Sequence, residues 1–249
     1  MTEFKPTKTV IMIPTYNERE NIIPLIDEVL ALDWSHPPII LVVDDDSPDG
    51  TGDLVKTRMR DDPRVRLLTR IKKRGRGAAG IDGFKAALDS GADTIIEMDA
   101  DFSHQPKFIP ALLAGCRDAD LVIGSRFIPG GKDLDRGVIR KIITLLARNF
   151  IRRRFRLPVQ DVSSGFRCFR REVLEQVDMD DMVSFGPSIV LEVLYKAHRL
   201  NFRMKEIPIV FIDRTKGSTK LNLLLLLETL LMAMIFKKRY PPRKGNRTP

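Results

Sequence analysis

The chain has 249 residues, 43% of them hydrophobic and 30% charged, with a formal net charge of +9. That length and balance exclude a disordered, fibrous or disulfide-stapled miniprotein and fit one catalytic-sized domain. Cys116 and Cys168 lack CxxC spacing and the three histidines, His36, His104 and His198, are scattered, so a zinc set is excluded and both cysteines read as reduced and structural.

The opening MTEFKPTKTV has no apolar segment of the signal-peptide kind, which predicts a protein body in the cytoplasm. Short β-branched runs then alternate with amphipathic stretches. TVIMI precedes a helix expected over 18–31, PIILVV one over 51–60, VRLLT one over 77–90 and DTIIEM one over 106–117, and DLVIG closes the series. This repetition predicts an α/β fold with a mostly parallel central sheet flanked by helices. Chemistry in such sheets sits beyond the carboxyl ends of the strands, a rule that selects three loops: PTYNE, DDDSPDGT and DADFSHQP.

The second half differs. GVIRKIITLLARNFIRRRFRL places Val138, Ile142, Leu145, Leu146 and Phe150 on one helical face beside many arginines, the pattern of a helix lying on a membrane surface. The run 221–236, interrupted by Asn222 and Glu228, reaches about 24 Å against a hydrocarbon core of about 30 Å. It is too short to span comfortably. An interfacial helix anchored by Lys220 and by Lys237, Lys238 and Arg239, a helix buried in the core or a dimer, and a short span are the three readings it allows.

Positive charge is clustered: residues 140–171 hold ten Lys or Arg against Asp161 alone among acids until Glu172, and the chain from Lys237 onward has no acid. Clustered cations suit an anionic partner. Nucleic acid is disfavoured, because aromatic residues make up only 7% of the chain and the basic helix is interleaved with aliphatic residues, not stacking rings. An anionic membrane and a phosphorylated substrate remain.

GRGAAG at 75–80 matches GxGxxG, with Asp99 at about the expected distance, but five residues separate it from VRLLT, and the fingerprint works only where a tight turn joins strand directly to helix. A hydride-transferring dinucleotide enzyme would also need that turn after the first strand, where PTYNE stands. The loop KKRGRG instead reads either as a solvated turn or as a glycine-rich cover over phosphates, with Arg74 its most useful residue.

Asp99 and Asp101 sit two apart just after DTIIEM, and two hard oxygen ligands suit Mg²⁺ or Mn²⁺ held mainly by a substrate diphosphate. From the second acidic loop, Asp44 or Asp45 can accept hydrogen bonds from a nucleobase or ribose. A departing nucleoside diphosphate also needs cations, for which Arg126, Arg214 and Lys220 are candidates. A phosphate monoester is largely ionised at neutral pH and is already a nucleophile, so no histidine base is required; His104 reads as a supporting or surface residue. DVSSGFR is either a strand-capping turn or an acceptor loop around Asp161, Ser163 and Ser164, while Phe185, Glu192 and Tyr195 read as core or helix surface.

IPTYNE, VVDDDSPDGT, RGRGAAG, MDADFSHQP, GSRFIPGG, DVSSGFRCF and DRTKGSTK, in this order over residues 8–220, resemble the GT-A glycosyltransferases of family 2, and more narrowly the polyprenyl (dolichyl) phosphate mannose synthases. The resemblance implies inverting transfer of mannose from GDP-mannose to a polyprenyl phosphate with a divalent metal; glucose or another sugar from a UDP-sugar is the alternative. It implies Pro14, Tyr16, Glu18, Val43 and Asp45 around the nucleoside, and Asp99, Ala100 and Asp101 on metal and diphosphate. Arg126, Arg214 and Lys220 fall on donor phosphates or acceptor, and Arg140 and Thr144 join Arg126 at the lipid phosphate. The sequence departs from the family pattern at Asp46, where glycine is common, at Arg76, where a small apolar residue is usual, and at Ser103, which is Gln in some relatives. The expected organisation is a GT-A domain over 1–220, with a nucleotide-sugar half at 8–125 and an acceptor half at 126–220, then an amphipathic helix and basic tail over 221–249. Peripheral attachment to the cytoplasmic face of a membrane follows, with a membrane subunit or a second copy as possible partners of the last helix.

Overall fold

The computed structural model describes residues 4, 6–72, 74–134, 138–184, 186–212 and 223–240, without the side chains of 138–141 and 223–230. Its first half alternates as the sequence predicts: β1 (Thr9–Thr15), α1 (Ile22–Leu30), β2 (Ile39–Asp44), α2 (Thr51–Asp61), β3 (Val65–Thr69), α3 (Arg76–Asp89), β4 (Thr94–Glu97), α4 (Ile109–Gly115) and β5 (Leu121–Ser125). Then come β6 (Lys132–Leu134), α5 (Val138–Phe155), β7 (Arg167–Arg170), α6 (Arg171–Gln176), α7 (Ile189–Arg199), β8 (Met204–Pro208), β9 (Val210–Ile212) and α8 (Leu223–Arg239).

Seven strands form one sheet in the order β3-β2-β1-β4-β7-β5-β8, and β6 pairs with β9 beside it. All neighbours in the large sheet are parallel except β7, which runs antiparallel to both β4 and β5. The strand residues Val10, Ile11, Met12, Ile13, Ile40, Val42 and Val43 are fully buried, because helices cover both faces and leave no solvent side for polar residues. Gly83 lets α3 press onto β1 and β2: a Cβ there would lie 2.8 Å from Met12 Cγ and 2.9 Å from Val43 Cγ2.

Two helix starts lie later than the sequence predicts. At α1, the amides of Glu18 and Arg19 bond Thr51 Oγ1 and Asp49 Oδ2, both at 3.0 Å, so the chain is tied to the neighbouring loop before the helix begins. Before α4, a 3₁₀ turn spans Pro106–Phe108, and Pro110, which has no N–H to donate, sits in the first turn of the α-helix itself.

Helix α5 is two-faced. Ile142, Leu145, Leu146 and Phe150 are exposed, up to 64% at Leu146, whereas Ile151 and Phe155 are buried on the opposite side. Helix α8 packs Ala233 and Phe236 inward, with Tyr240 just past its end, and leaves Leu231, Met234 and Ile235 exposed. Among the described residues, no helix is long and apolar enough to cross a membrane.

Candidate active site

Strands β1, β2 and β4 end side by side, and the three loops selected from the sequence leave from those ends. In the second loop Asp44 is an internal brace: its carboxylate accepts from Thr15 Oγ1 at 2.8 Å and from the Ser47 hydroxyl and amide at 2.6 and 2.9 Å. Asp45, also buried, accepts from the Gly75 amide at 2.6 Å and from the Arg70 guanidinium. Arg70 holds Asp82 at 2.7 Å as well, and Arg74 pairs with Asp46 at 2.7 Å. The glycine-rich loop is thus stapled onto the acidic loop. Asp46, the departure from glycine, has φ +52°, a left-handed conformation that Asp tolerates better than most side chains.

Of the nucleoside candidates, Tyr16 is 53% exposed and Glu18 takes a 2.8 Å bond from Asn21 Nδ2. Pro14 pairs in register with Val43 between β1 and β2. The Val43 side chain is in the core against Met12 and Gly83, which leaves only its backbone for a ligand.

Strand β4 stops at Glu97, two residues before the aspartate pair, and the Met98 amide still reaches Met12 O at 3.2 Å. Asp99 then meets Arg76 Nη2 at 3.3 Å, while the same nitrogen bonds Glu97 at 2.7 Å. The Asp99 amide donates to His104 Nδ1 at 3.0 Å, which fixes the ring proton on Nε2. Burial holds the His104 imidazole below the ordinary histidine value despite the nearby Asp99 and Asp101, so the ring is neutral. It stacks on Phe166 at 5.1 Å and is buried, not a surface residue. Asp101 accepts from the Ser103 hydroxyl at 2.6 Å and amide at 3.1 Å, and Ala100 between the two carboxylates is buried. Burial opposes the charge on Arg76, yet Glu97 and Asp99 outweigh it and raise its pKa. Arg167, 0% exposed near the same Glu97, is pulled by burial down to about 10.

Arg126 is committed to Asp161 rather than open to the crevice. Its Nε and Nη2 grip the two carboxylate oxygens at 2.8 Å each, its amide adds a 3.1 Å bond, and Nη2 also reaches Ser163 Oγ at 2.8 Å. Burial pushes the Asp161 carboxyl up, but Arg126 and the surrounding amides overcome it and hold it below the usual carboxylate range. Arg126 lies over Phe127 at 5.0 Å, and Arg148 of α5 covers the same ring at 4.6 Å.

Asp99, Ala100, Asp101 and the loops carrying Pro14, Tyr16, Glu18, Val43 and Asp45 therefore share one edge of the sheet, with Arg126 reaching it through Asp161. Thr144 is half-buried on α5; the Arg140 side chain, Arg214, Lys220 and Phe185 lie outside the described residues. Glu192 is buried and accepts from the amides of Val183 and Ser184 and from Tyr240, a structural role. Cys116 and Cys168 are buried free thiols 3.2 Å apart. Sequence reasoning missed Arg148, although the i, i+4, i+8 spacing of Arg140, Thr144 and Arg148 places all three on one helical face. Among the described residues no three metal-ligating side chains come together, and Asp99 and Asp101 are two hard oxygen donors of the kind a divalent cation takes.

A mostly parallel sheet with acidic loops gathered at one edge is a fold shared with solved GT-A structures. The chain belongs to glycosyl transferase family 2, whose model matches residues 10–178. It is 41% identical over 215 residues to undecaprenyl-phosphate mannosyltransferase of Micrococcus luteus, covering 86% of this chain and 88% of that one. It is 40% identical over 222 residues to polyprenol monophosphomannose synthase of Mycolicibacterium smegmatis, covering 88% and 83%. Dolichol-phosphate mannosyltransferase of Pyrococcus furiosus is 37% identical over 86% of this chain, which spans 59% of that longer protein. Two solved structures share the fold. Glucosyl-3-phosphoglycerate synthase of Mycobacterium tuberculosis with Mn²⁺, UDP and phosphoglyceric acid has TM-score 0.68 at 19% identity, covering 94% and 78% of the two chains. A mannosyltransferase of Pyrobaculum calidifontis with GDP-mannose and Mn²⁺ has TM-score 0.63 at 17%, covering 99% and 66%.

Proposed function

We propose that this glycosyltransferase moves mannose from GDP-mannose to a polyprenyl phosphate, giving polyprenyl phosphate mannose and GDP. The observation that carries the reading is that two relatives at 40% and 41% identity, matched over most of both lengths, bear the names of mannosyltransferases acting on that class of lipid. In the reaction an ionised oxygen of the lipid phosphate attacks the anomeric carbon from the face opposite the diphosphate. The C–O bond to GDP breaks, its electron pair leaves with GDP, and the configuration inverts. The lipid phosphate needs no base, because its second pKa is about 6.

The protein's task is then placement and charge. Asp99 and Asp101 would hold Mg²⁺ or Mn²⁺, which neutralises the departing diphosphate. His104 fixes the Asp99 backbone, Ser103 fixes the Asp101 carboxylate, and Arg76 ties Asp99 to Glu97, so both ligands are set before substrate arrives. The loops bearing Pro14, Tyr16, Glu18, Val43 and Asp45 receive the nucleoside, with Arg214 and Lys220 supplying donor-phosphate cations. Arg126, Arg140 and Thr144 lie on the acceptor side. The exposed apolar faces of α5 and α8, bordered by Arg152, Arg153, Arg154, Lys237, Lys238 and Arg239, suit attachment to the cytoplasmic face of an anionic membrane. Residues 1–220 act as the GT-A domain, divided near 125 between donor and acceptor halves, with 221–249 as its attachment segment.

The test is transfer of radiolabelled mannose from GDP-mannose to a short polyprenyl phosphate, with product extracted into organic solvent. Activity is expected with Mg²⁺ or Mn²⁺ and lost with EDTA, and Asp101→Asn is expected to remove at least about 99% of it while the protein stays folded. Full activity of Asp101→Asn in EDTA would reject the site; transfer of glucose from UDP-glucose in place of mannose would reject the donor.

A further inference from the structure

Of the two cations assigned to the acceptor side by sequence, the Arg140 side chain lies outside the described residues, and Arg126 is already spent: its two-pronged grip on buried Asp161 can be turned to a phosphate only by leaving that carboxylate unpaired. Arg148 stands beside it in the opposite condition. Its Nε is buried without a hydrogen-bond partner, its Nη2 bonds only the neutral Asn149 Oδ1 at 3.2 Å, and no carboxylate among the described residues forms an ion pair with it. Asp161 and Glu206 are near, but Arg126 holds the first, and the second accepts from the amides of Gln160 and Asp161 at 2.7 and 2.8 Å. Burial and the neighbouring Arg152 lower the Arg148 pKa, the signature of a positive group short of anionic company.

Arg148 lies 4.6 Å from the centre of the Phe127 ring and Arg126 lies 5.0 Å from it, so one ring carries both guanidinium groups and joins α5 to the loop after β5. The other face of α5 exposes Leu145, Leu146 and Phe150. Arg148 thus lies on the same helix as the exposed apolar face and against the ring that Arg126 also covers.

We propose that Arg148 binds the phosphate of the polyprenyl phosphate acceptor directly, supplying the unpaired cation while Arg126 keeps the loop of Asp161 in place. This assignment deepens the proposed function and rests on it for the identity of the lipid. The two Nη groups offer a planar fork suited to phosphate oxygens.

The experiment is calorimetric titration of the full chain with farnesyl phosphate, farnesol, inorganic phosphate and, separately, GDP-mannose, for the native protein, Arg148→Gln and Arg148→Lys. Native protein is expected to bind farnesyl phosphate more tightly than farnesol or inorganic phosphate. Arg148→Gln should weaken farnesyl phosphate about ten-fold or more, leave farnesol and GDP-mannose binding unchanged, and melt at the native temperature; Arg148→Lys should recover part of the loss. The assignment is overturned if Arg148→Gln binds farnesyl phosphate within about two-fold of native protein, or if native protein does not distinguish the phosphate from the alcohol. Phosphate-selective, Arg148-dependent binding without mannose transfer would sustain the assignment and refute the reaction instead.

Discussion

Removing the negative charge of Asp161 tests whether its pairing with Arg126 holds this side of the crevice together. Asp161 is 0% exposed and Arg126 7% exposed, and the carboxylate takes two guanidinium bonds and the Arg126 amide. In Asp161→Asn one prong loses its acceptor and a buried guanidinium loses its counter-charge. Breaking such a pair from one side costs about 3–5 kcal/mol. At about 2–4 °C per kcal/mol for a domain of this size, the melting temperature should fall by roughly 6–20 °C. Differential scanning calorimetry at pH 7 reads it. The double variant Arg126→Met with Asp161→Leu buries no charge and should regain most of the loss. The pH dependence has a definite sign: the folded Asp161 pKa is lowered, so its contribution is complete above the ordinary carboxylate value of about 3.9 and disappears as pH falls through the lower folded value. The gap between native protein and Asp161→Asn should therefore be flat from pH 5 to 8 and close only in strong acid. A single variant melting within about 2 °C of native protein, or a double variant no better than the single, would refute the reasoning.

Three further outcomes follow from named contacts. Leu145→Glu with Leu146→Glu, both on the exposed face of α5, should abolish sedimentation with anionic vesicles while shifting the melting temperature by less than about 2 °C. Asp45→Asn removes the charge that secures the Gly75 amide and Arg70, and should weaken GDP binding about ten-fold in a thermal-shift titration; unchanged affinity would detach that loop from the donor. Gly83→Val forces an isopropyl group into space that Met12 and Val43 already occupy, and should lower unfolding free energy by about 1–3 kcal/mol in a urea melt.

How much the sequence discloses depends on how local each feature is. The strands of the first half are legible because runs such as TVIMI and PIILVV are uniformly apolar, as fully covered strands must be, and the carboxyl-end rule then finds the acidic loops. The exposed face of α5 is legible for the same reason, since a period of 3.6 survives in one dimension. Arg76 is not. A basic residue in a glycine-rich loop reads as a cover for phosphates, whereas the fold brings α3 against the start of α7, with Gly80 close to Ile189, and turns Arg76 inward onto Glu97 and Asp99. Arg148 stays hidden for a related reason: its meaning lies in the carboxylate that Arg126 takes, a contact that spacing does not reveal.

Strand β7 is the deepest of these non-local features, and the site depends on its direction. Its four residues RCFR show no alternation of their own, and they enter the sheet between two strands that come earlier in the chain. Antiparallel pairing sets Arg167 opposite both Glu97 and Ile123, and Arg170 opposite Thr94. Reversing the strand would carry Arg167 to the far edge, about 10 Å away at 3.3 Å per residue. The preceding loop, with Asp161, Ser163 and Phe166, would leave the crevice with it. In the observed direction the loop arrives level with the aspartate pair, so Phe166 lies under His104 and Asp161 meets Arg126. One antiparallel strand in an otherwise parallel sheet is thus what joins the Arg126–Asp161 pair to the two carboxylates.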